Sequence, residues 1–139
     1  MTMAGGLAAL GEVFTPEVAD DFFERGERLR ARLNAECERS GAAMGFSGMG
    51  TLIMTHFRPG PFDQPYMPTR KEEQQRELFF FDLLDAGFYL ARRGMLALTL
   101  PSTDADFDRL VEAVARFLHN RRDVLDRHEP VRSQQYEAA

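Results

Sequence analysis

One lysine and one cysteine are the whole stock of amine and thiol side chains in this chain of 139 residues, against sixteen arginines. A single thiol, Cys37, cannot close an internal disulfide, so a disulfide scaffold is excluded. No apolar run approaches the roughly 20 residues needed to cross a bilayer. The opening Met-Thr-Met-Ala-Gly-Gly has neither the basic region nor the apolar stretch of a secretory leader. A cytoplasmic protein with no membrane partner is the expectation. Net positive charge is missing too: the formal charge is −5, which disfavours a nucleic-acid partner. Most arginines alternate with acids, as in Glu24-Arg25-Gly26-Glu27-Arg28, the pattern of a solvated helix face. Only Arg92-Arg93 and Arg121-Arg122 stand as bare pairs. What is present is apolar mass. A hydrophobic fraction of 44%, with twelve phenylalanines, suffices for one buried core under a surface supplied by 28% charged residues.

The first segment, about Thr2 to Val13, is rich in small residues, including Gly5 and Gly6. Two glycines in an exposed lone helix cost roughly 1 kcal/mol each relative to alanine. They make better sense where the helix packs closely on another body. Thr15-Pro16-Glu17 is a helix start, with a threonine cap, proline in the first position and an acid in the first turn. Val18, Phe22, Gly26, Leu29 and Leu33 then recur at helical spacing up to a stop at Ser40-Gly41. Thr51 to Phe57 reads as a strand, paired with a shorter one before the glycines of Gly45-x-x-Gly48-x-Gly50. Four prolines make 58–70 a loop. A helix over about 71–86 closes at Gly87, and 88–90 and 95–100 read as two short strands about an Ala91-Arg92-Arg93-Gly94 turn. Thr103, with Asp106 three residues on, caps a last helix whose apolar face runs through Phe107, Leu110, Val114 and Phe117. That helix is expected to fray near Arg127. The order predicts a small α+β domain, a short antiparallel sheet covered by helices.

Few residues announce chemistry. His56, His119 and His128 show no metal-ligand spacing with one another or with Cys37, and a structural role is favoured for His56 and a surface or helix-terminal one for His119. Cys37 has no histidine in its pattern and reads as a half-buried helix residue, not a nucleophile. The glycine run lacks both the strand-to-helix setting and the Lys-Ser/Thr pair of a phosphate loop, so a tight connection between strands explains it better. Phe79, Phe80 and Phe81 are expected to fill the core, not to stack on bases. Arg92-Arg93 before Gly94 is the exception. A guanidinium fork in a tight turn suits carboxylate or phosphate, although a solvated turn with one arginine ion-paired explains the spacing equally well.

Residues 2–10 (Thr-Met-Ala-Gly-Gly-Leu-Ala-Ala-Leu) with Phe14-Thr15-Pro16-Glu17 resemble the segment that follows the cofactor-binding core in class III pyridoxal phosphate (PLP)-dependent aminotransferases. Gly48-Met49-Gly50-Thr51 through His56-Phe57 is similar to the strand opening the small C-terminal domain in the glutamate-1-semialdehyde aminomutase-like branch. Leu78-Phe79-Phe80-Phe81-Asp82, Gly87-Phe88-Tyr89-Leu90-Ala91, Arg93-Gly94-Met95 and Leu98-Thr99-Leu100-Pro101 follow in family order. The resemblance covers roughly residues 1–120. It implies a piece of a homodimeric fold-type I enzyme whose PLP, Schiff-base lysine and phosphate-binding residues belong to a large domain upstream. Lys71 does not match that lysine, because it falls at a wet helix start within the small domain. The implied division is 1–14 as a helix packing on the large domain, 15–127 as the small domain and 128–139 as a flexible tail.

By position, Arg93 matches an arginine that would bind a substrate carboxylate in the complete enzyme. No catalytic, cofactor-binding or metal residue is expected within the chain. The implied function is part of an enzyme moving amino groups between small-molecule amino and keto or aldehyde substrates, inactive alone. The alternative is a stand-alone interaction or regulatory module derived from that domain.

Overall fold

The computed structural model describes residues 2–125. A helix α1 over Thr2–Ala8 continues as one π-helical stretch, Ala9–Val13, and none of the residues of that stretch is buried. Thr15 then starts α2, Pro16–Ser40, accepting a hydrogen bond from the Val18 amide, and Gly41 stops it in the left-handed conformation. Strands β1, Gly45–Met49, and β2, Leu52–His56, form an antiparallel hairpin. After α3, Arg70–Asp85, comes β3, Met95–Ala97, pairing antiparallel with β2 in a three-stranded sheet of order β1-β2-β3. Helix α4, Asp104–Asn120, closes the domain, with both Thr69 and Thr103 forming full capping boxes for α3 and α4. This is the α+β class that the sequence predicts.

The core lies between the sheet and α2, α3 and α4. Phe57, Phe79 and Phe117 meet edge to face around its centre, with ring centroids 5.0–6.3 Å apart, and Phe46 tilts against Phe79. Such pairs add about 0.5–1.5 kcal/mol beyond the area they bury. Phe79, Leu33, Ile53, Leu83 and Val114 are fully enclosed. Helix α2 reaches the hairpin through Gly26, where a Cβ would collide with the Gly50 carbonyl. The approach is sealed by Glu27, whose carboxylate accepts the Gly50 amide at 2.8 Å, and by Asn34, whose amide exchanges two hydrogen bonds with the Phe46 backbone at 2.8 and 2.9 Å. Helix α4 is tied across to α2 by Arg25–Asp104 and Arg32–Asp108, and to α3 by a two-pronged Arg121–Asp82 pair at 2.8 Å.

Four expectations are corrected. Strand β1 contains Gly45 and Gly48 instead of ending before them, and the turn falls on Gly50-Thr51. Residues 88–90 are not a strand: the Phe88 and Gly87 amides donate back to Leu83 and Leu84, a Schellman closure that draws them into the end of α3. Phe81 is about half exposed, on the outer side of α3, while Phe79 and Phe80 are buried. Helix α4 stops at Asn120, short of Arg127, because Arg121 turns to Asp82 and the following turn returns Leu125 to the core. The tail expected at 128–139 lies outside the described residues.

Candidate functional site

Beyond the end of β2 the chain carries His56, Phe57 and Arg58 into the proline-rich loop, and this loop folds over the first turns of α3. Between them lies a cavity of about 260 Å³, closed on a third side by the Arg93 turn. Four charged residues line it: Arg58, Arg76 and Arg93 against the single carboxylate of Glu72. In a chain of net charge −5, three guanidiniums facing one cavity mark a local positive site.

Each wall has its own means of positioning. The His56 ring stacks on Phe62 at 4.2 Å, and its Nε2 shares a 2.7 Å hydrogen bond with the Ser47 hydroxyl. Burial, with Arg58 and Arg76 nearby, pushes the His56 pKa below the usual histidine value, so the ring is neutral at neutral pH. Arg58 lies over the rings of Tyr66 and Phe62, at 4.4 and 5.1 Å, and donates to the Pro59 and Pro61 carbonyls. Burial raises the Glu72 carboxyl, but hydrogen bonds from the Thr69 backbone, the Tyr66 hydroxyl and the Thr69 side chain, with Arg58 close by, outweigh it and hold the pKa below the usual glutamate value. Three polar atoms on these walls are buried and meet no hydrogen-bond partner: Thr55 Oγ1, Arg58 Nε and Arg76 Nε.

The two arginines of the 91–94 turn part ways. Arg92 pairs with Glu77 at 2.8 Å and covers the Phe80 and Phe81 rings, the surface role that spacing allowed for one of them. Arg93 lines the cavity, its guanidinium near Met95 Sδ at 3.9 Å. The turn is held by Ala91 N–H to Met95 O at 3.0 Å and Thr55 N–H to Gly94 O at 2.9 Å, with Gly94 at φ 90°.

Of the other described residues weighed from sequence, none joins this cavity, and His128 lies outside the described residues. Cys37 is fully buried in α2, more than its half-buried expectation, and burial, with Glu36 and Glu38 beside it, pushes its thiol up to about 12. His119 is exposed in the last turn of α4, and Lys71 is exposed in the first turn of α3. No lysine lines the cavity, so its walls do not fit an amine-linked cofactor. Among the described residues no group of His, Cys, Asp and Glu could hold a metal ion, and no helix is long and apolar enough to cross a membrane. A larger groove of about 730 Å³ runs between α2 and the loop at Pro59–Phe62, but its walls are mostly apolar.

Sequence reasoning missed Arg58, Arg76 and Thr55. A faint signal existed for the arginines: Arg58 stands two residues beyond His56, on the same side of an extended chain, and Arg76 stands one helical turn beyond Glu72.

This small α+β domain carries arginines and no lysine at its cavity. No family model matches the sequence. The chain is 47% identical over 118 residues to beta-phenylalanine transaminase of Variovorax paradoxus, and 28% identical over 115 residues to glutamate-1-semialdehyde 2,1-aminomutase of Desulforudis audaxviator. These matches take in 85% and 81% of the chain but 27% of each relative, so the chain spans about a quarter of the length of the curated relatives it matches. Among solved structures, a beta-phenylalanine aminotransferase from Variovorax paradoxus superposes with a TM-score of 0.85 at 43% identity, over 92% of this chain and 30% of that one. The chain thus has the sequence and fold of the small C-terminal domain of class III, fold-type I aminotransferases, in the branch that includes the glutamate-1-semialdehyde aminomutases. The full-length enzymes of that family depend on PLP.

Proposed function

We propose that this chain is the substrate-side domain of a cytoplasmic, homodimeric PLP-dependent transaminase acting on a small amino acid, with the amino-acid chemistry of the beta-phenylalanine enzyme as the first to try. The observation that carries the reading is Arg93, set at the rim of a positively charged cavity in a domain 47% identical to the matching part of that transaminase. The cofactor supplies the chemistry of amino transfer, and a large domain would hold it. This chain's own part is binding. Arg93 offers a planar fork to the substrate carboxylate, and Phe62 and Tyr66 line one wall beside it. Residues 1–14 dock on the large domain, and 15–127 form the domain that covers the substrate. Alone, the chain is inactive. The second reading, a stand-alone interaction module, draws on the exposed apolar stripe of Met3, Leu7 and Leu10, which any protein partner could cover.

One purification tests both. The native polypeptide from its source cells is expected to be several times heavier than 15.8 kDa and to carry PLP. In that enzyme Arg93→Ala should raise the KM for the amino acid by about ten- to a hundredfold, the usual worth of a charged hydrogen bond. A native species of 15.8 kDa that binds no added PLP would favour the module instead.

A further inference from the structure

Three arginines line the cavity, and only one is left with its guanidinium unengaged inside the domain. Arg58 gives its Nη1 to two carbonyls and its face to two rings. Arg93 stands exposed at the rim. Arg76 is different. Its Nε is buried without a partner, and among the described residues no hydrogen bond or ion pair engages its guanidinium. The natural partner would be Glu72, one helical turn earlier on the same face of α3. That carboxylate is already committed, accepting the Tyr66 hydroxyl through both oxygens and the Thr69 amide at 2.6 Å. A buried donor left unpaired is costly unless a ligand satisfies it.

A second orphan sits beside it. Thr55 is 1% exposed, lines the same cavity, and its Oγ1 meets no partner. Its backbone amide holds Gly94, next to Arg93, and Arg76 Cδ lies 3.2 Å from where a Gly94 Cβ would stand. Thr55, Arg76 and the Arg93 turn therefore form one contiguous wall, with unused donors contributed by β2 and α3.

We propose that Arg76 is a second carboxylate-binding residue of this cavity, acting beside Arg93, with the Thr55 hydroxyl as a further donor. It rests on the reading of Arg93 as a carboxylate ligand and extends it to a residue on another element. The Nε–Nη edge of a guanidinium takes a carboxylate in two parallel hydrogen bonds, and the free edge of Arg76 supplies that geometry. A lysine could not, because its ammonium offers a point charge instead of a fork.

All the residues involved belong to this chain, so the 139-residue protein carries the test. Benzoate, as a monocarboxylate probe, is titrated into the 15N-labelled protein while the arginine Nε–Hε resonances are followed, with inorganic phosphate as a parallel arm. Wild type should bind benzoate, with the Arg76 Nε–Hε signal moving. Arg76→Gln should weaken binding at least tenfold, Arg76→Lys by an intermediate factor, and Arg92→Gln not at all. Unchanged benzoate binding in Arg76→Gln overturns the role of Arg76, even where Arg93→Gln weakens it and so keeps the Arg93 reading. The reverse pattern, loss in Arg76→Gln and none in Arg93→Gln, supports Arg76 and refutes Arg93. Phosphate binding more tightly than benzoate, or no binding by the folded wild type, overturns the carboxylate clamp.

Discussion

Helices α1 and α4 carry the same kind of pattern and meet opposite fates. Met3, Leu7 and Leu10 recur at four- and three-residue spacing, as do Phe107, Leu110, Val114 and Phe117. Every one of the second set is buried, whereas Leu7 is 77% and Met3 90% exposed. Amphipathic spacing therefore states that a face is to be covered, not by what. For α4 the cover is the sheet and two helices of the same chain. For α1 no such cover exists among the described residues, in a chain that spans about a quarter of its relatives. The glycines repeat the contrast. Gly26 faces the Gly50 backbone too closely to admit a side chain, while Gly5 and Gly6 have nothing within 4 Å.

Substitutions can break this comparison. The largest effect is expected at Phe117→Ala, which removes a ring packed on Phe57 and Phe79 and should cost about 3–5 kcal/mol in urea unfolding. Gly26→Ala comes next: the hairpin backbone must shift to admit the methyl, a loss of about 1–3 kcal/mol by the same measurement. The paired change Leu7→Ser with Leu10→Ser should move stability by no more than about 0.5 kcal/mol, since both sites are exposed. A large loss there would mean that α1 is already covered within this chain, and the contrast would disappear.

Much of the fold was legible because local signals and tertiary structure agree. Thr15-Pro16 and Thr103 cap α2 and α4, and Phe22, Gly26, Leu29 and Leu33 trace the inner face of α2. The failures are places where one residue serves two elements. Phe88 looks like a strand residue, but its amide closes α3, and the glycines of β1 look like a turn although they stand within the strand, where a Cβ at Gly48 would collide with the Leu52 carbonyl and one at Gly45 with the Phe62 ring. The site was half legible. Arg93 stood out by sitting in a tight turn with a glycine. Arg76 and Thr55 did not, because an arginine among helix charges and a threonine in a strand become notable only when their neighbours are seen to be otherwise engaged.

The burial of Cys37 has a practical consequence. The sole thiol of the chain stays protonated and enclosed at neutral pH, with its pKa pushed up to about 12. A cysteine introduced at position 10, on the open stripe of the first helix, would be the only one to react with a maleimide dye. The native residue need not be removed. Fluorescence from that one position would then report, in real time, when a second protein closes over the stripe.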